Sequence, residues 1–185
     1  MQRLTENTIE DIVNRSVNHK NMNNSNDLNI NNKYKVLFVC LGNICRSPMA
    51  EFVMKKLVKD KGLENHFTIA SAATSYEESG NPVYPPARAK LAEHGISCKD
   101  KYAVRVSPDD YDKYDYIVVM DRSNLRNITR IVGEDRDDKI RLLMSYTGAN
   151  SDVADPWYTG DFEATWQDVW AGCNALLEKI LSEKF

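Results

Sequence analysis

The sequence contains no apolar run of membrane-spanning length, no hydrophobic signal core near its N-terminus and no basic tail or stripe. These absences argue against a membrane partner and against secretion. With a formal charge of −3, they also leave nucleic-acid binding without its electrostatic footprint. Any anion affinity must be local. Cysteine is sparse: Cys40, Cys45, Cys98 and Cys173 are too few for a disulfide scaffold and lack paired zinc-ligand spacing. The expectation is a protein of the reducing cytoplasm with no metal and no cofactor. The 185 residues suffice for one domain with a sizeable core.

What is present centres on Val36 to Pro48, where an apolar β-type run breaks into a loop and then opens a helix. Cys40 and Arg46 are separated by five residues, among them Gly42. Glycine lets such a loop wrap until several backbone N–H groups face one point, where an oxyanion would sit. Ser47 is expected to cap the following helix and Pro48 to occupy its first turn, aiming the positive end of the dipole at the same place. A helix N-terminus and a neighbouring cation favour the thiolate, which makes Cys40 a candidate nucleophile. Arg46 supplies a planar fork for phosphate oxygens.

Ahead of this loop the chain is different in kind. Thr5 to Val17 carries Ile9, Ile12, Val13 and Val17 at roughly helical spacing, and eight of the fifteen residues from Asn18 to Asn32 are asparagine. Residues 1–33 therefore read as an extension, a short helix followed by a linker unable to offset its ordering entropy. Residues 34–185 read as the domain. The pattern predicts strands at 36–40, 67–71, 116–120 and 139–143, and a very short one near 103–106. Helices are expected at 47–60, from Pro85 or Pro86 to His94, from Asp121 to about Gly133, and over 161–182, with a helical turn at 108–113. On the last helix Phe162, Trp166, Val169, Trp170 and Cys173 form the inner face. Alternating strands and helices imply a parallel sheet covered on both faces.

Cys40-Leu-Gly-Asn-Ile-Cys-Arg-Ser47 matches the C-x5-R-S signature of cysteine-dependent phosphatases and resembles the low-molecular-weight protein tyrosine phosphatases. The resemblance extends through Ser71-Ala-Ala-Thr-Ser, Gly80-Asn-Pro, Met120-Asp-Arg-Ser-Asn-Leu and Asp155-Pro-Trp-Tyr158. It implies an α/β flavodoxin-like three-layer sandwich, a four-stranded parallel sheet with helices on both faces. It also implies hydrolysis of phosphotyrosine through a phosphocysteine on Cys40, with Asp155 as general acid and then base. Leu41, Gly42, Asn43, Ile44, Cys45, Arg46 and Ser47 would bind the phosphate. Asn43, expected in an unusual backbone conformation, would be held by Ser71 and His94. Ser47 would donate to the Cys40 sulfur, and Asp121 would brace Arg46.

Ile44, Tyr76, Trp157 and Tyr158 would form the substrate pocket. Ile44 occupies the position at which arginine-phosphate-directed members carry threonine, and so implies an aromatic phosphoester. The aromatic of animal members lies one position after Tyr76, where this chain has Glu77. Cys45 has either a redox role, capturing an oxidised Cys40, or a packing one. Two other readings share a loop of this type. Arsenate reduction needs two further cysteines near mid-chain, where only Cys98 lies. The cysteine-phosphorylated sugar-transport subunits lack counterparts of Arg46 and Asp155. The expected partner is a phosphotyrosine-containing protein, with no nucleic acid and no membrane, and the expected state a monomer, with a weak dimer as the alternative.

Overall fold

The computed structural model describes residues 33–184. The chain divides into two units at Asn32 and Lys33; the helix and asparagine-rich linker expected in the first lie outside the described residues.

Four strands, β1 (Tyr34–Cys40), β2 (Phe67–Ala73), β3 (Tyr116–Val119) and β4 (Ile140–Leu142), form one parallel sheet in the order β2-β1-β3-β4. The helices are α1 (Arg46–Asp60), α2 (Pro85–Glu93), α3 (Asp110–Lys113), α4 (Arg122–Val132), α5 (Pro156–Thr159) and α6 (Phe162–Lys184). β1 lies in the interior of the sheet, which explains its unbroken apolar run. Val36, Phe38 and Cys40 pack into one core with α1 and α6, while Leu37 and Val39 pack into a second with Ile117, Val119 and Ile128. A strand buried on both faces has no polar alternation to show. This is the flavodoxin-like three-layer arrangement, and it places the C-terminal ends of β1 and β3 side by side, where ligands of open α/β sheets bind.

Three expectations differ from the structure. Residues 103–106 form no strand. Ala73 N–H donates to Val104 O, Val106 N–H donates to Ala73 O, and a single bridge pairs Ala73 with Arg105. The intervening Val104 N–H donates to the Asn43 side chain, so the pairing goes no further. Trp170 is 37% exposed. It stacks on the buried Trp166 with ring centroids 5.6 Å apart, at the edge of the α6 inner face. Ser47 is not a cap: α1 begins at Arg46 with Cys45 as N-cap and no side-chain capping bond.

Candidate active site

The turn from β1 into α1 is tightened at Asn43, whose φ of 59° is left-handed. Asparagine tolerates that region far better than a β-branched residue would. Its backbone N–H consequently points inward and donates to Cys40 Sγ at 3.2 Å. Ser47 Oγ lies 3.0 Å from the same sulfur. Cys40, Leu41, Gly42, Ile44, Cys45 and Arg46 line a cleft whose other walls are Glu77, Glu78, Asp155, Trp157 and Tyr158. Asn43 and Ser47 are fully buried behind it.

Two carboxylates hold Arg46. Asp121 Oδ2 accepts from its Nη1 at 2.6 Å, and Asp155 Oδ2 is 2.6 Å from its Nη2. Each aspartate is itself placed by a helix start: Asp121 Oδ1 accepts from Asn124 N–H, and Asp155 Oδ1 from Trp157 N–H. Asp121 thus both caps α4 and braces Arg46. Burial alone would lower the Arg46 pKa, but Cys40, Asp155 and Asp121 outweigh it and raise it. Cys45 is pushed up to about 12, chiefly by burial and then by the charges at Cys40 and Asp155. It stays protonated at neutral pH and so does not compete with Cys40 for an entering phosphate.

The Asn43 side chain is anchored on both of its polar atoms. Its Nδ2 donates to Ser47 Oγ and to Ser71 Oγ, each at 2.8 Å, and its Oδ1 accepts from Val104 N–H. That arrangement dictates the proton direction. Ser71 Oγ–H donates onward to Glu51 Oε2 at 2.5 Å. Ser47, already an acceptor from Asn43, can direct its own proton at Cys40.

His94 does not join this network. It follows the end of α2, exposed, and its ring stacks on Trp166 at 3.7 Å, almost parallel. Glu51 and Lys101 support Ser71 instead: Lys101 Nζ donates to Ser71 O at 2.8 Å and lies 3.1 Å from Glu51 Oε2. Sequence reasoning misses both. Glu51 carries a faint signal, since it follows Ser47 by one helical turn on a largely buried face; Lys101, in an irregular segment, carries none. Tyr76 is also displaced from its expected role. It is 71% exposed and absent from the cleft lining, with Arg105 stacked 4.1 Å over its ring and donating to its hydroxyl.

Glu51 retains Lys55 on its other oxygen, so removing Lys101 strips away only part of its compensation. Lys101→Met is expected to destabilise the fold by about 1–3 kcal/mol. Urea unfolding, read as a lower midpoint at unchanged slope, checks it.

Residues 35–184 match the family model described as low molecular weight phosphotyrosine protein phosphatase. The low molecular weight protein-tyrosine-phosphatase YfkJ of Bacillus subtilis is 41% identical over 151 residues, 80% of this chain and 97% of that protein. The low molecular weight phosphotyrosine protein phosphatase of Gallus gallus is 44% identical over 149 residues, 78% of this chain and 94% of its own. The crystal structure of YfkJ superposes with a TM-score of 0.80 over 83% of this chain and 98% of that one, at 40% identity. A drosophila arginine phosphatase superposes with a TM-score of 0.72 at 31% identity, over 79% of this chain and 97% of its own.

Proposed function

The chain belongs to the low molecular weight phosphotyrosine protein phosphatase family, and from that premise we propose that it hydrolyses phosphotyrosine through a phosphocysteine on Cys40. The observation that carries this reading is the meeting, at one cleft, of Cys40, Arg46 and the distant Asp155.

The Cys40 sulfur faces the entering phosphate with the Asn43 N–H and the Ser47 hydroxyl directed at it. It attacks phosphorus opposite the phenolic oxygen, forming the S–P bond as the P–O bond breaks. The Arg46 fork and the loop amides hold the three equatorial oxygens, already oriented before charge develops there. Arg46 Nη1 remains on Asp121, while Nη2, which meets Asp155 in the ligand-free cleft, turns to phosphate. Asp155 in its protonated form gives the leaving phenolate its proton. The same carboxylate then takes a proton from the water that cleaves the S–P bond, returning the thiolate and free phosphate.

Ile44, Trp157 and Tyr158 supply the apolar and aromatic walls for the ring. The catalytic unit is residues 34–185 in the cytoplasm, acting as a monomer, and residues 1–33 take no part in the chemistry. Cys45, in the same cleft as Cys40, is the thiol that would condense with a Cys40 sulfenic acid to a disulfide and water.

Matched peptides carrying phosphotyrosine, phosphoserine or phosphoarginine test the substrate class. The ring contacts, worth about 1.5–3 kcal/mol when a side chain of that size is buried, should leave phosphoserine about 10- to 10²-fold below phosphotyrosine in kcat/KM. A preference for phosphoarginine would overturn the reading taken from Ile44.

A further inference from the structure

The cleft mouth has a charge pattern that its phosphate chemistry does not require. Among its lining residues the charged side chains are one cation, Arg46, and three carboxylates, Glu77, Glu78 and Asp155. Arg46 lies deep, with 4% of its surface exposed, and already meets Asp121 and Asp155. Phosphate attraction therefore comes from Arg46 and the loop amides at the floor, and Glu77 and Glu78 contribute only repulsion to it. Neither has an ion-pair partner among the described residues.

The pair is held on a fixed support. Asn81 Nδ2 donates to Glu78 Oε2 at 2.7 Å, a neutral contact that orients the carboxylate without cancelling its charge. The Glu78 Cγ lies 3.1 Å from where a Cβ on Gly42 would stand, so the acid is laid directly over the phosphate loop. Glu77 N–H donates to Ser75 Oγ, and the loop is tied to the chain beyond it by Gly80 N–H to Ala103 O and Ala103 N–H to Asn81 O. Arg105, the nearby cation, is occupied with Tyr76 and the Thr74 carbonyl. Trp157 and Tyr158 form another part of the wall, so a phosphotyrosine seated on Cys40 carries its neighbouring residues across the Glu77–Glu78 side.

We propose that Glu77 and Glu78 are specificity residues that select phosphotyrosines flanked by lysine or arginine and disfavour those flanked by acidic residues. This rests on the phosphotyrosine reading above.

Three phosphotyrosine peptides, alike except for Lys, Ala or Glu on both sides of the phosphotyrosine, test it in the full chain. At low salt, kcat/KM for the Lys peptide should exceed that for the Glu peptide roughly three- to thirtyfold, as two solvent-exposed ion pairs allow. The ratio should shrink by half or more in 0.5 M sodium chloride. It should fall to about twofold or less in the double variant Glu77→Gln/Glu78→Gln, and drop below the wild-type ratio in Glu77→Lys alone. Being a ratio, it is insensitive to any general loss of activity in the variants. Equal turnover of the Lys and Glu peptides by the wild type, or a preference that survives in the double variant, overturns the inference and leaves the phosphotyrosine reading standing. Failure to hydrolyse any of the three overturns that reading and the inference together.

Discussion

Cys40→Ser is expected to lose hydrolysis of p-nitrophenyl phosphate by more than about 10⁴-fold, the scale on which removal of a covalent nucleophile is felt. The reason lies in the sulfur's environment. Cys40 is 3% exposed and ends β1, and its Sγ takes the Asn43 N–H and faces the Ser47 hydroxyl. A serine hydroxyl holds its proton far more tightly than a thiol, and neither of the groups hydrogen-bonded at this position, the Ser47 hydroxyl and the Asn43 amide, is a base able to remove it. The smaller oxygen also retreats from the position of the entering phosphorus. The substitution still has hydrogen-bond partners waiting, so the variant should melt within a few degrees of the wild type and still bind inorganic phosphate. Steady-state turnover together with a thermal melt checks both halves. Full turnover in the serine variant would end the covalent mechanism.

How much of this is legible in the sequence depends on how local each feature is. The loop from Cys40 to Ser47 is a contiguous segment, and its spacing by itself displays a phosphate cradle. β1 and β3 stand out because strands buried on both faces cannot carry polar residues. Asp155 is different: an Asp-Pro pair alone reads as a turn, and only resemblance to a family ties it to Arg46. Features closed by remote partners leave no periodic trace. Residues 103–106 pattern as a strand, yet Val104 N–H goes to the Asn43 side chain instead of to a ladder. Trp170 has the spacing of a core residue but lies where α6 rolls out to solvent. Ser47 looks like a cap, but its hydroxyl is claimed by Cys40 and Asn43. The histidine expected beside Asn43 is elsewhere, because the buried Glu51 and the half-buried Lys101 close that network from two segments distant in sequence.

Asp155→Asn should reduce kcat by about 10²–10⁴-fold, the usual value of a positioned proton donor, while leaving phosphate affinity the same or tighter. The two outcomes have separate origins. Asp155 Oδ1 accepts from Trp157 N–H and its Oδ2 meets Arg46. An asparagine keeps the Oδ1 acceptor, so α5 remains capped and the walls at Trp157 and Tyr158 stay in place. What disappears is the proton and the negative charge. Without the proton, the leaving oxygen departs as a bare anion. The penalty should be severe for phenyl phosphate and milder for p-nitrophenyl phosphate, whose phenolate is the better leaving group. Without the charge, Arg46 Nη2 no longer has a carboxylate competing with the incoming dianion, so inhibition by inorganic phosphate should be at least as strong as in the wild type. A structural collapse would weaken phosphate binding and slow both substrates alike. Measuring kcat on the two aryl phosphates and the inhibition constant for phosphate in one preparation separates these cases. Equal losses on the two leaving groups would remove Asp155 from the role of acid.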